Sequence, residues 1–147
     1  VPVPEMPGIV RTGFVKFDAM LDWLGACDVM LLPQRDSIAN RARWPSKVND
    51  YLAAGKPVVA SAVGDIAEVF AGGTIGRSVA ATSTALAAAA AELLDDAAAR
   101  ARCGAAARTL AEGALSWPAL AGRLDAWYQD VPGAGGTAAA RGDGTER

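Results

Sequence analysis

The chain has 147 residues, 52% of them hydrophobic, and a net charge of −2 from 14 basic and 16 acidic side chains. That apolar content can build the core of one domain, and the interspersed charges form no basic field of the kind nucleic acid requires. Histidine is absent, which excludes His-based acid–base catalysis, His-activated nucleophiles and most zinc sites.

Cys27 and Cys103 lie far apart and neither has a CxxC partner. They are expected as reduced, buried thiols of a cytoplasmic protein, with a disulfide between them as the alternative. No run reaches the roughly 18 apolar residues of a membrane span. The opening Val1-Pro2-Val3-Pro4 lacks the basic and apolar regions of a signal peptide.

In chain order, residues 9–15 (IVRTGFV) read as a short strand. Asp18 can cap a helix over residues 19–26, with Met20, Leu21 and Leu24 on one face. Residues 28–32, Asp28 followed by four apolar residues and stopped by Pro33, have the pattern of a buried parallel strand. A polar loop over residues 34–43 follows. Ser46 is the expected N-cap of the next helix, and Gly55 its C′ residue. Residues 57–61 read as a second buried strand, 64–70 as a short helix and 76–80 as an edge strand. Beyond Thr82 the pattern is helical: residues 83–94 capped by Ser83, then 97–111, then 116–129 capped by Ser116. In the last helix Leu120, Leu124, Trp127 and Tyr128 make one apolar stripe. Residues 131–147 are Gly- and Ala-rich without periodicity and are expected as a disordered tail after a domain over residues 1–130. Alternation of strand and helix up to residue 80 predicts an α/β fold with a parallel sheet, followed by C-terminal helices.

The stretch Trp44 to Ser61 carries the chemistry. Lys47 and Asp50 lie three residues apart near the start of its helix, hence on one face. A helix N-terminus favours an anion, and a carboxylate one turn further in can accept hydrogen bonds from sugar hydroxyls. Together they point to a nucleotide-type ligand.

The run Asp50-Tyr51-Leu52-Ala53-Ala54-Gly55-Lys56-Pro57-Val58-Val59 resembles a family signature: a Glu, seven residues, a second Glu, and a short helix ending in Gly before Pro-Val-Val. That signature is found in the C-terminal half of retaining glycosyltransferases of the two-Rossmann-domain (GT-B) kind, in the glycogen-synthase-like group 1 superfamily. Asp50 stands for the second Glu, and the first falls on Ala42. The flanking runs ACDVMLLP, SAVGDIAEVF and ALSWPALAGRLDAWY resemble other segments of the same domain, in the same order.

The resemblance implies a partial Rossmann-like sheet and a nucleotide-sugar donor, with no cofactor and no metal. By it, Asp50 would bind the ribose hydroxyls, against a plain reading as a first-turn Asp favoured by the helix dipole. Lys47 would contact phosphate, against an ion pair with Asp50. Arg43 and Arg41 are further phosphate candidates. Ser46 lies at the helix start, and Gly64 follows a strand where a ligand could approach closely. Trp44 reads first as a staple under the loop and second as a stacking surface, Asn40 as a donor contact, and Glu68 as solvent-facing. No residue is assigned as a catalytic acid or base.

By the same resemblance the chain begins at the third strand of such a domain. The first two strands, the family's diphosphate-binding Arg and Lys, and the acceptor site would lie elsewhere. Inactivity of this chain alone, marginal stability and self-association through exposed apolar surface are the expectations. Two other functions compete. A non-catalytic α/β binding or interaction domain fits Ala42. A flavodoxin-like regulatory module would need acidic residues clustered at strand ends.

Overall fold

The computed structural model describes residues 6–131. Contacts divide the chain into two compact units, up to Arg108 and from Thr109 onward. The first contains α1 (Phe17–Ala26), β1 (Met30–Leu32), α2 (Ile38–Arg41), α3 (Lys47–Ala53), β2 (Val58–Ser61), α4 (Asp65–Val69), β3 (Gly76–Val79) and α5 (Ser83–Asp95). The boundary falls within α6 (Ala97–Glu112), and α7 (Trp117–Asp130) belongs to the second unit.

The three strands form one parallel sheet in the order β1-β2-β3, with Leu31 level with Val59 and Val59 with Arg77. All four β2 residues are buried, because β2 is paired on both edges and covered on both faces. On one face Val59 packs with Ala89 and Leu93 of α5 and Ala99 and Cys103 of α6, flanked by Val29 and Val79. The alternate residues Met30, Leu32, Val58 and Ala60 point to the other face. The connections β1-α3-β2 and β2-α4-β3 step the same way across the sheet, so right-handed crossovers put α3 and α4 together on that face. Their apolar residues Val48, Leu52 and Ile66, with Phe70, are fully buried. The expected α/β architecture is therefore present.

Among the described residues β1 has no strand on its outer side. Leu31, on the same face as Val59, remains 51% exposed. A shallow apolar groove of about 280 Å³, lined by Ala26, Val29, Leu31, Ala90 and Leu94 among others, runs beside it.

Two glycines permit a close helix contact. Gly55 is the C′ residue of α3, with φ +66°. Gly104 of α6 faces it so closely that a Cβ there would sit 2.3 Å from the Gly55 carbonyl oxygen. Arg108 then donates from Nη1 to the Ala53 carbonyl at 2.6 Å, satisfying an orphan acceptor at the end of α3.

Several local expectations are corrected. Residues 9–15 form no strand, and Ile9, Val10 and Phe14 are exposed. Strand propensity yields a strand only where a neighbour supplies ladder hydrogen bonds, and none pairs with this segment among the described residues. The first helix starts at Phe17, so Asp18 is inside its first turn and Lys16 precedes it. Ser46 is not a side-chain cap: its backbone is already helical (φ −54°, ψ −30°), and Val48 N–H bonds the Pro45 carbonyl at 3.0 Å. Thr82 rather than Ser83 caps α5, its Oγ1 accepting from Ala85 N–H at 3.2 Å. The polar loop contains the single-turn helix α2. Both cysteines are free; Cys103 is buried and Cys27 only half-buried. The expected tail lies outside the described residues, Val131 apart.

Within the second unit Ser116 caps α7 as expected, accepting from Ala119 N–H at 3.4 Å. Arg123 donates to the Ala114 carbonyl at 3.3 Å, tying α7 to the preceding turn. Leu124, Trp127 and Tyr128 are exposed, with the two rings edge-to-face at 5.2 Å.

Replacing Gly104 by Ala forces α6 off the Gly55 turn and is expected to cost about 1–3 kcal/mol, as overpacking does. The control Gly25→Ala meets nothing within 4 Å. It is expected to gain up to about 1 kcal/mol of helix propensity. Urea unfolding of both variants checks the pair.

Candidate nucleotide-binding site

Parallel pairing brings the ends of β1 and β2 to one edge of the sheet, where ligands of open α/β folds bind. Two loops meet there: residues 33–46, between β1 and α3, and residues 62–64, after β2. They are tied at the base. Gln34 N–H donates to Oγ of the fully buried Ser61 at 3.0 Å. The Gln34 amide atoms are themselves out of solvent and without a partner among the described residues.

Gly64 holds the second contact. Its φ of +56° and ψ of −145° suit only glycine, and a Cβ there would lie 2.7 Å from the Arg41 carbonyl oxygen. The close approach that this glycine permits is thus made by the α2 backbone.

Polar side chains order the first loop internally. Ser37 caps α2, its Oγ accepting from Asn40 N–H at 3.2 Å. Arg41 forks onto Asp36 through Nε and Nη2 at 2.5 and 2.7 Å. Asn40 donates from Nδ2 to the Arg35 carbonyl at 2.8 Å and accepts at Oδ1 from Arg43 Nε at 3.1 Å. Trp44 donates from Nε1 to Asn49 Oδ1 at 2.9 Å, clamping the loop to α3 across Pro45 and Ser46.

Of the residues singled out from sequence, Arg43, Ser46, Lys47 and Asp50 are all exposed on the loop and the first turns of α3, and Gly64 is half-buried beside the loop. Lys47 and Asp50 make no ion pair with each other, and no partner holds either side chain among the described residues. Ser46 caps nothing with its hydroxyl. Two cations, a hydroxyl and a carboxylate therefore share one solvent-facing region. Such a group can contact a phosphate and a sugar diol together. Glu68 is exposed on α4, as expected.

Sequence reasoning missed Asp36, Asn49 and Ser61 as organisers of this region. Ser61 had a signal: it is the polar end of an apolar strand, and such a side chain must find a partner when buried. Asp36 and Asn49 had none, since loop pairings five residues apart follow no period.

The hydrogen-bonded Arg41 guanidinium holds the Asp36 carboxyl below the usual aspartate range. A depressed carboxylate contributes its stabilisation above the ordinary aspartate pKa and loses it as pH falls through the lowered value. The Asp36 side-chain carbon resonance is expected to titrate below the ordinary aspartate range, and to return toward that range in Arg41→Gln.

Among the described residues no helix is long and apolar enough to cross a membrane. No curated protein matches the chain. The family described as Glycosyl transferases group 1 matches residues 4–96, which takes in both loops and β1, β2 and β3. With a parallel α/β sheet and an open polar region at its strand ends, the chain belongs to the group 1 glycosyl transferases.

Proposed function

We propose that the region formed by Arg43, Ser46, Lys47, Asp50 and Gly64 is the donor half-site of a glycosyltransferase and binds a nucleotide sugar. The observation that carries this is the unpaired, exposed Lys47 and Asp50 on one face of α3 at the carboxyl edge of the sheet. Asp50 accepts hydrogen bonds from the ribose hydroxyls. Arg43 and Lys47, with the Ser46 hydroxyl, meet the diphosphate. Gly64 acts through the loop, keeping room for the Arg41 backbone. Neutralisation of the diphosphate by side chains calls for no metal and no further cofactor. The acceptor and the catalytic groups lie outside these residues, so residues 1–147 alone transfer no sugar. The chemistry suits a cytoplasmic pool of activated sugars.

A non-catalytic binding domain is favoured by one feature. Ala42, in the place of the family's first Glu, ends α2 with no functional group. Sugar-nucleotide turnover by the full-length gene product separates the two functions.

Asp50→Ala in the full-length gene product is expected to weaken nucleoside diphosphate binding by about 1.5–3 kcal/mol, or roughly 10- to 100-fold, as loss of a charged hydrogen-bond partner does. Calorimetric titration measures it, and unchanged affinity removes the ribose role.

The apolar β1 edge also supports self-association of this chain. Leu31→Lys is expected to lower the apparent mass of residues 1–147 in light scattering.

A further inference from the structure

The loop contains two arginines two residues apart, and the structure treats them oppositely. Arg41 spends Nε and Nη2 on the Asp36 carboxylate, so its charge is compensated and its fork is filled. Arg43 spends Nε alone, on the neutral Asn40 amide. Its two terminal nitrogens have no partner among the described residues, and its charge is uncompensated.

The orientation of the Asn40 amide follows from its other bond. The Arg35 carbonyl accepts only from a donor, so Nδ2 must face it and Oδ1 must face Arg43. Asn40 is in turn fixed by its backbone N–H, which bonds the Ser37 cap. A carboxylate in place of Asn40 would hold Arg43 more strongly and cancel its charge. A neutral amide orients the guanidinium and leaves that charge for an incoming anion.

From this arrangement we infer that Asn40 is a positioning residue for Arg43, and that Arg43 rather than Arg41 reads the diphosphate of the donor nucleotide. This rests on the donor half-site proposed above. Arg41 serves the loop, joining Asp36 at one end of α2 to the backbone contact with Gly64 at the other. Asn40 touches no ligand in this arrangement; it acts through Arg43.

The test is a calorimetric comparison, on the full-length gene product, of UDP, GDP and ADP with their nucleosides. The ratio of nucleoside to nucleoside diphosphate Kd isolates the phosphate contribution. Arg43→Ala and the milder Arg43→Gln are expected to lower that ratio about 10-fold or more, the effect of a lost charge-assisted hydrogen bond, with nucleoside affinity unchanged. Asn40→Ala is expected to lower the ratio less, and Asn40→Asp more than Asn40→Ala, because a carboxylate competes with the phosphate for Arg43. Once Arg43 is Ala, replacing Asn40 is expected to have no further effect on the ratio. Arg41→Ala opens the loop's internal fork and is expected to lower the ratio less than Arg43→Ala does. A ratio unaffected by Arg43→Ala, or lowered equally by Arg41→Ala, overturns the assignment of the arginines. Independent, additive losses at Asn40 and Arg43 overturn the positioning role. Absence of any nucleoside diphosphate binding by the wild-type protein overturns the donor half-site itself, and this inference with it.

Discussion

Everything at the candidate site depends on β2 being paired in parallel on both sides. A parallel ladder sends β1, β2 and β3 to the same edge, and their outgoing loops must then share that edge. The four residues of β2 have no solvent contact, so the strand cannot shift register without exposing Val58 and Ala60 to the wrong face. Ser61 is the last of them and the only polar one. Its hydroxyl accepts from Gln34, so the first loop is fastened at the fully buried end of the central strand. A rigid strand thereby sets the position of a loop that has little core of its own.

Electrostatics completes what the sheet begins. The loop and the start of α3 carry Arg35, Arg41, Arg43 and Lys47 against Asp36 and Asp50. The Asp36–Arg41 pair is solvent-exposed, where an ion pair adds little to global stability. Its effect is geometric: a two-pronged fork fixes the loop around α2, which in turn carries Asn40. The remaining cations stand apart from carboxylate partners among the described residues. Compensated charge thus shapes the loop, and uncompensated charge faces outward.

The core of the fold was legible in the sequence because its signals are local and repeat. The strands expected over 28–32 and 57–61, found at Met30–Leu32 and Val58–Ser61, the Gly55 stop and the Ser116 cap each depend on a few adjacent residues. Residues 9–15 show the limit of that logic. Their β-branched and aromatic content is real, but a strand requires a neighbour, which the segment itself does not encode. Ser46 shows a subtler limit. It precedes the helix and has the preferred cap side chain, yet Pro45 already turns the chain, so Ser46 has helical backbone angles that prevent capping. The exposure of Lys47 and Asp50 on one face of α3 was readable, since the two follow helix spacing. The division of labour between Arg41 and Arg43 was not, because it is decided by Asp36 and Asn40 through loop contacts that have no period.

Gly64 links the sheet to the loop. From sequence it reads as room for a ligand. In the structure that room is taken by the Arg41 backbone, and the positive φ leaves no alternative residue without strain. A side chain at position 64 would push the end of α2 away from the β2 loop. Asn40 precedes Arg41 in the same turn of helix, so the displacement would carry the Asn40 amide with it, and Arg43 would lose its orientation. A defect at Gly64 would therefore reach the Arg43 guanidinium without any atom of Gly64 touching it. The order of dependence runs from Ser61 and Gly64, on the sheet, through α2, to the guanidinium that faces solvent.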